Sequence, residues 1–222
     1  MLSIDSIHKE YWDGDKPLHV LCGINLNVSQ GERVALMGAS GSGKSTLLQI
    51  AAGLERPDQG SVTIGDQSVG ELNENQLAML RRQQLGFVFQ QFNLLPGLSA
   101  RDNLLFQRRL NRQPEHSDWV TALIDGLQLA PFLDKRVEKL SGGQKQRVAI
   151  GRAMAHQPAL LFADEPTGNL HDELSHRVMG MLVELVKQSQ CALLLVTHAR
   201  SMAGYLQRRV VLKAGLLSDL QQ

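Results

Sequence analysis

Short apolar runs are separated by longer mixed stretches along the chain, and three of these runs stand out. Residues 34–37, 159–163 and 192–196 are each almost wholly apolar, and each leads directly into glycine-rich or polar positions. Uniform short runs of this kind are typical of buried parallel strands, which deliver their following residues to one edge of a sheet. Residues 46–52 favour a helix that ends at Gly53. The pattern predicts an α/β fold with a mainly parallel core sheet flanked by helices.

A different strand pattern is found nearer the N-terminus. Residues 18–28 and 33–37 bracket a polar turn at 29–32, and residues 61–64 lie between Gly60 and Gly65. Turn residues between alternating runs favour antiparallel pairing. We therefore expect a small antiparallel β layer in the N-terminal part of the chain.

The region from 100 to 137 has a helical period instead. Residues 101–112 are one helical candidate, and the apolar positions from Trp119 to Leu127 recur at helical spacing in a stretch with little Gly or Pro. This region is predicted to be a helical insertion. Its Trp119 stripe is expected to face a core rather than a ligand.

Composition allows a single large domain and offers little evidence for some other classes of function. The chain has 222 residues, 43% of them hydrophobic, and a formal net charge of +1. Such a charge gives no electrostatic reason to expect nucleic acid as the main partner. Cys22 and Cys191 form no close-spaced pattern, which favours buried thiols in a reducing compartment. The first residues do not resemble a secretory signal, and the run at 192–196 is too short for a membrane span, so any membrane role is expected through a partner.

The run at 34–37 leads into a glycine-rich loop of the pattern GxxxxGKS. Glycines let successive backbone N–H groups converge on phosphate oxygens, and a following helix N-terminus adds positive potential. Lys44 is expected near the β and γ phosphates, and the Ser45 hydroxyl is expected on Mg²⁺. The predicted nucleotide-binding residues of this loop are Gly38, Ala39, Ser40, Gly41, Ser42, Gly43, Lys44, Ser45 and Thr46.

A pair of carboxylates, Asp164 and Glu165, follows the run at 159–163. Adjacent residues on a strand point to opposite faces, so the two carboxylates are expected to have different roles. Asp164 is assigned to the shell of Mg²⁺, and Glu165 to positioning and polarising the attacking water.

Downstream, Leu140 precedes the tetrapeptide Ser141, Gly142, Gly143 and Gln144, and a basic helix start follows. With the phosphate loop and the acidic pair, this tetrapeptide resembles the signature of the ATP-binding-cassette (ABC) family. The resemblance covers essentially the whole chain. It implies one nucleotide-binding domain over residues 1–222, in which 1–89 and 157–222 form a P-loop NTPase core with the β layer. Residues 90–156 would be the inserted α-helical subdomain that carries the signature.

The resemblance also implies roles for three further residues. Tyr11 matches an aromatic residue that stacks on adenine, a contact expected to contribute about 1–3 kcal/mol by analogy with base stacking elsewhere. Gln90 matches a glutamine that contacts Mg²⁺ and water. His198 matches a histidine that contacts the γ phosphate and would act with Glu165 and Lys44 in catalysis. Taken alone, Tyr11 is also compatible with ordinary half-buried packing, Gln90 with a surface amide and His198 with a structural role.

The same resemblance implies a homodimer, because the signature of one copy would cover the nucleotide held by the phosphate loop of the other. ATP would join the two copies, and hydrolysis would release them. Residues 86–96 and 163–170 are similar to the macrolide-exporter and lipoprotein-release branch. Its members are peripheral ATPases on the cytoplasmic side of the inner membrane that drive integral-membrane permeases, so ATP, Mg²⁺, a second copy and a permease are the expected partners.

Two positions depart from the family pattern. His171 is found where the family usually has aspartate, and Ala199 where an acidic residue often follows the switch histidine. Both changes are compatible with neutral drift, or with slower and less coupled hydrolysis. The second possibility keeps open a clamp or regulatory module that binds ATP with weak turnover. A soluble ABC ATPase that acts on ribosomes or DNA is a separate alternative. Such proteins usually have tandem cassettes or long coiled-coil insertions, and this sequence resembles a single compact cassette.

Overall fold

The computed structural model describes residues 1–220, so the last two residues of the predicted 1–222 domain lie outside it. The strands are β1 (Leu2–Asp13), β2 (Lys16–Val28), β3 (Arg33–Met37), β4 (Gln59–Ile64), β5 (Gln67–Ser68), β6 (Leu85–Val88), β7 (Leu160–Asp164), β8 (Ala192–Val196), β9 (Arg208–Lys213) and β10 (Leu216–Asp219). The helices are α1 (Lys44–Ala51), α2 (Glu74–Gln84), α3 (Ala100–Leu110), α4 (Asp118–Gly126), α5 (Gly142–Met154), α6 (Asp172–Ser189) and α7 (Arg200–Ala203).

The strands form two sheets. One has the order β2-β1-β4-β5 and is antiparallel, as expected for the N-terminal layer. The other has the order β10-β9-β3-β8-β7-β6, and its pairs are parallel except for the one between β9 and β10. The predicted mainly parallel core sheet is confirmed.

One expected pairing is wrong. Residues 18–28 and 33–37 do not pair with each other, because β2 belongs to the antiparallel sheet and β3 to the parallel one. The intervening turn, closed by the Glu32 N–H donating to the Ser29 carbonyl at 3.1 Å, carries the chain from one layer to the other. A polar turn between two apolar runs is therefore compatible with a change of sheet as well as with a hairpin.

Side-chain alternation along β7 and β8 divides the interior into two cores. Leu161 and Leu193 face the core shared with α3, α4, α5 and α6. Phe162 and Leu194 face the core shared with α1, α2 and the antiparallel sheet. Because both faces are covered, these strands are apolar at every position rather than at alternate ones.

The helical region has the expected content. Helices α3 and α4 each begin one residue before the predicted segment and end within it, and both pack against α5. Trp119 is packed against the larger core, and its indole N–H donates to the Met154 carbonyl at 2.9 Å, so the prediction of a core role is confirmed. Among residues 1–220, no helix has the length and apolar character needed to cross a bilayer.

Candidate active site

The carboxyl ends of β3, β8 and β7 lie side by side in the parallel sheet. The phosphate loop follows β3, Asp164 ends β7, and His198 comes two residues after β8. Two backbone bonds continue the sheet beyond the strands: the Glu165 N–H donates to Val196 at 3.0 Å, and the Thr197 N–H donates to Leu36 at 3.1 Å. The predicted chemical groups therefore share one edge, as ligand-binding residues do in open α/β sheets.

The phosphate loop has a backbone that favours glycine. Gly41 and Gly43 have φ values of 75° and 96°, in the left-handed region. A Cβ on Gly43 would also lie 2.7 Å from Val20 Cγ1, so the loop packs closely under β2. Gly43 is the N-cap of α1 and makes no side-chain cap bond, which leaves the first N–H groups of the helix for an anion.

Lys44 is held against this loop and is only 7% exposed. Its ammonium donates to the carbonyls of Gly38 at 3.0 Å and Ala39 at 2.7 Å. These two bonds hold the Lys44 ammonium over the loop and restrict the motion of its side chain. A phosphate bound there meets a positive charge that is already in place.

Asp164 is half-buried at the end of β7, and its environment raises the pKa of its carboxyl. Burial is the main cause, and the nearby charge of Glu165 adds to it. The Ser45 hydroxyl, by hydrogen bonding, and the Lys44 ammonium, by its charge, lower this pKa in opposition. The carboxylate and the hydroxyl offer oxygen ligands to a hard cation, and the ammonium offers a positive charge to phosphate.

Glu165 lies just beyond the strand, with φ of 46°. The expectation that strand alternation separates the two carboxylates is therefore wrong, because a left-handed turn redirects Glu165 instead. Its Oε1 lies 2.8 Å from His198 Nδ1 and accepts from the His198 backbone N–H at 3.1 Å. The Glu165 side chain is 15% exposed, whereas that of His198 is 71% exposed.

Tyr11 lies on β1 opposite Leu18 of β2 and is 38% exposed. Its hydroxyl donates to Glu55 Oε1 at 2.7 Å, and the Lys9 ammonium lies 5.5 Å from the ring centroid. Burial and the bond to Glu55 raise the pKa of Tyr11, and the Thr46 hydroxyl opposes this rise. The ring is therefore fixed beside α1, on the side of the phosphate loop.

The signature tetrapeptide forms the start of α5. Ser141 is the N-cap, its hydroxyl accepting from the Gln144 N–H at 3.4 Å, and Gln144 Oε1 accepts from the Ser141 N–H at 3.0 Å. This reciprocal capping box explains a serine and a glutamine at that spacing. The helix begins at Gly142, inside the tetrapeptide, so the expected start at Lys145 is three residues too late. Ser141 and Gly142 are exposed there.

Comparison with known proteins shows the family of the chain. The sequence model of the family described as ABC transporter matches residues 21–168. The chain belongs to the ABC transporter family. The "Lipoprotein-releasing system ATP-binding protein LolD" of Legionella pneumophila (strain Lens) is 40% identical over 219 residues, covering 98% of this chain and 96% of the relative. The "Macrolide export ATP-binding/permease protein MacB" of Bdellovibrio bacteriovorus is 39% identical, covering 99% of this chain but 34% of that longer protein.

A solved cassette has the same fold. The ATP-binding cassette MJ0796, determined as a dimer in a post-hydrolysis state bound to ADP and Pi, superposes with a TM-score of 0.88 at 34% identity, over the full length of both chains. The expected P-loop NTPase fold is thereby confirmed. The present chain is an ATP-hydrolysing cassette of the LolD/MacB-like branch of ABC transporters.

Within this cassette the signature and the phosphate loop do not meet. No hydrogen bond or salt bridge in residues 1–220 joins 141–144 to 38–45. Gln90 lies beyond β6 and is exposed, and its carbonyl accepts from the Asn169 side chain at 2.7 Å. The chain thus brings Lys44, Ser45, Asp164, Glu165 and His198 together, and the signature lies apart from them.

The two departures from the family pattern occupy helix N-caps. His171 is the N-cap of α6, is exposed and makes no side-chain cap bond. Ala199 is the N-cap of the short α7, and its N–H donates to Thr197 Oγ1 at 3.1 Å. His171 therefore leaves α6 without the cap that an aspartate would provide.

Sequence reasoning missed two residues that support the site. Glu55 holds the Tyr11 hydroxyl from 44 positions away, and Asn169 holds the Gln90 backbone from 79 positions away. Both contacts are made only in the folded chain, so no local pattern indicates them. Asn169 lies within the 163–170 segment, which did give a signal through its resemblance to the export branch.

Proposed function

We propose that this cassette is the ATP-hydrolysing subunit of an inner-membrane export or lipoprotein-release system and works as a homodimer around two ATP molecules. The observation that carries the proposal is the split site. Lys44, Asp164, Glu165 and His198 lie at one sheet edge, while the exposed Ser141 start of α5 is not bonded to them. A second copy is needed to complete the site.

The donor set fits Mg²⁺. The Ser45 hydroxyl, the Asp164 carboxylate and the Gln90 amide offer hard oxygen atoms, which this cation prefers over nitrogen or sulfur. The Ser45 hydroxyl hydrogen-bonds Asp164 and opposes the rise in its pKa, so these two donors are neighbours. When bound, Mg²⁺ would neutralise charge on the β and γ phosphates.

Hydrolysis then depends on charges that are already positioned. Lys44 meets the terminal phosphates, and the N–H groups from Gly38 to Thr46 surround their oxygens. Glu165 accepts a hydrogen bond from the attacking water and polarises it. His198 fixes the Glu165 carboxylate through two bonds. With both ring nitrogens protonated, its Nε2–H would donate to the γ phosphate. Tyr11 stacks on the adenine ring.

The second copy supplies the remaining donors. Its Ser141 hydroxyl and the backbone at Gly143 would cover the γ phosphate from the far side and exclude water. Helix α5 begins at that point, so its N-terminus adds positive potential toward the phosphate. ATP binding closes the dimer, and hydrolysis opens it.

A groove between the core and the helical region is a suitable docking site for the permease. Its volume is about 440 Å³, and Leu54, Phe89, Phe106 and Leu110 are among its lining residues. Leu54 is 51% and Leu110 46% exposed, so an apolar surface faces outward there. Arg82, also at the groove, makes no salt bridge within residues 1–220, which suits a partner segment that is apolar with an acidic side chain.

The names of the relatives support a role in export or lipoprotein release. One relative is a lipoprotein-releasing ATP-binding protein, and another joins a cassette to a macrolide-export permease in one chain. By analogy with these relatives, we propose that the cassette lies on the cytoplasmic face of the inner membrane, attached through its permease. Nucleic acid is not among the proposed partners, since the net charge is +1.

Affinity purification from detergent-solubilised membranes tests the proposal. The parent protein is expected to bring down a polytopic membrane protein in stoichiometric amount, with ATPase activity in the complex. Leu110→Glu is expected to lose that partner. The matched control Leu216→Glu changes a residue that is 60% exposed on β10, away from the groove, and should keep it. Recovery of ribosomes or DNA instead of a membrane protein would contradict the proposal.

A further inference from the structure

The signature loop is supported from below by one side chain of α6. A Cβ built on Gly143 would lie 2.5 Å from Leu174 Cδ2 and 3.2 Å from its Cδ1 and Cγ. Gly143 is buried, although it lies one residue from the exposed start of α5. Leu174 is partly buried and packs on the larger core. The backbone at Gly143 thus rests directly on Leu174.

The neighbouring glycine rests on similar supports. The atoms nearest to a Cβ built on Gly142 would be Leu170 Cδ2 at 3.8 Å and Phe92 Cζ at 3.9 Å. Neither glycine has a side chain that could anchor it. The capping box fixes the local shape of the loop, but the height of the loop above the core depends on these underlying side chains.

Leu170 and Leu174 belong to a short stretch that begins at the catalytic carboxylate. We call residues 165–175 the link segment. The Gly168 N–H donates to Glu165 and the Leu170 N–H to Thr167, both at 3.0 Å. The buried Ser175 hydroxyl closes the stretch by donating to the carbonyls of Thr167 and Leu170, both at 3.3 Å.

We propose that Leu174 is a positioning residue for the composite ATP site: it holds the signature loop at the height at which Ser141 and Gly143 meet the nucleotide of a second copy. The inference rests on the proposed function, because it requires an ATP-joined dimer. It goes further by assigning a role to a residue that packs beneath the signature loop and is not part of it. The link segment then gives Glu165 and the signature loop of one chain a common support.

Two measurements on one set of variants separate this role from general packing. The first is ATP affinity of the separate chain, which depends on the phosphate loop and Tyr11. The second is ATP-dependent dimerisation, which also depends on the signature. Both are made in the Glu165→Gln background, so that slow hydrolysis preserves the dimer, using equilibrium nucleotide binding and sedimentation velocity.

Leu174→Ala is compared with Met181→Ala. Met181 is also partly buried, packs on the same core and lies two turns along α6, about 10 Å from Leu174. The volume-conserving Leu174→Met tests rescue. We expect Leu174→Ala to raise the dimer dissociation constant about tenfold or more. ATP affinity of the separate chain should stay within about twofold in all variants, and dimerisation should stay near parental in Met181→Ala and Leu174→Met.

Results that contradict the role of Leu174 differ from those that contradict the homodimer. Parental dimerisation in Leu174→Ala, an equal loss in Met181→Ala, or a parallel loss of ATP affinity in the separate chain would overturn the role of Leu174 while leaving the proposed function in place. Failure of the Glu165→Gln parent itself to dimerise with ATP would overturn the proposed homodimer, and the role of Leu174 with it.

Discussion

The Glu165 carboxylate is fixed by His198 through two bonds to the same oxygen, Oε1, from the ring Nδ1 at 2.8 Å and from the backbone N–H at 3.1 Å. A carboxylate only accepts hydrogen bonds, so the ring Nδ1 carries the proton in this contact. The pair joins the ends of β7 and β8, the two neighbouring strands that deliver these residues. In the proposed mechanism, the second carboxylate oxygen accepts a hydrogen bond from the attacking water.

Glu165→Gln is expected to lower kcat about 10²- to 10⁴-fold, because it removes the charge that polarises water. The glutamine oxygen still accepts from His198, so the local structure is kept. ATP binding should change little. Steady-state ATPase rates beside equilibrium nucleotide binding check this, and near-normal turnover in the purified variant would show that Glu165 is not the water-polarising group.

Tyr11→Ala should weaken ATP binding by about 1–3 kcal/mol, about 5- to 150-fold in Kd, if the ring stacks on adenine. Tyr11→Phe keeps the ring and loses only the bond to Glu55, so its Kd should stay near the parental value. Trp12→Ala is a matched control, since Trp12 is the next residue on β1 and is 69% exposed. Equal effects at positions 11 and 12 in titrations with ATP would argue against a specific base contact.

His171→Asp should stabilise the fold, because α6 has no side-chain cap and aspartate is a strong N-cap residue. A gain of about 0.5–2 kcal/mol in the free energy of unfolding is expected. His171→Ala removes the imidazole without adding a cap and should give no such gain. Urea unfolding measures this effect.

His171 also lies in the link segment, so His171→Asp should change the ATPase rate or its cooperativity while ATP binding stays nearly intact. Steady-state ATPase assays on the assembled complex test this. An unchanged rate and cooperativity there would remove His171 from the coupling of the two sites.

Lowering the pH should reduce the free energy of unfolding, in part through Asp102 of α3. The Ser99 hydroxyl, and after it Arg109, lower the pKa of Asp102 below its ordinary value. A lowered folded-state pKa means that the stabilisation is present above the unfolded-state value, about 3.9, and is lost as the pH falls through the folded-state pKa. Urea unfolding in a pH series should show a shallower acid loss for Asp102→Asn than for the parent. Equal pH dependence would exclude this contribution.

The central strands could be predicted closely from the sequence. β8 begins and ends at the predicted residues, and β7 is displaced by one. Both are buried on two faces, so every position is apolar and the polar residues at their ends mark the boundaries. The phosphate loop and the acidic pair could be predicted for a similar reason, because their chemistry requires particular residues at fixed spacing.

Other features are not marked by any local pattern in the sequence. β1 pairs with β2 through register shifts between Ile4 and Ile7 and between Lys9 and Glu10, which interrupt the alternation that marks a strand. The contacts of Glu165 with His198 and of Gly143 with Leu174 join residues that are distant along the chain. The division at 90–156 and the individual catalytic roles stay predictions.

The central claim is that each ATP site is built from two copies, and mixing two inactive variants tests it most directly. Lys44→Ala disables the phosphate loop, and Ser141→Arg disables the signature, so each alone should have almost no ATPase activity. In a mixed dimer, one site combines both defects, while the other combines an intact phosphate loop with an intact signature. An equal mixture should therefore recover about a quarter of the parental rate per chain. No recovery on mixing, with both variants folded and able to associate, would contradict a site shared between copies.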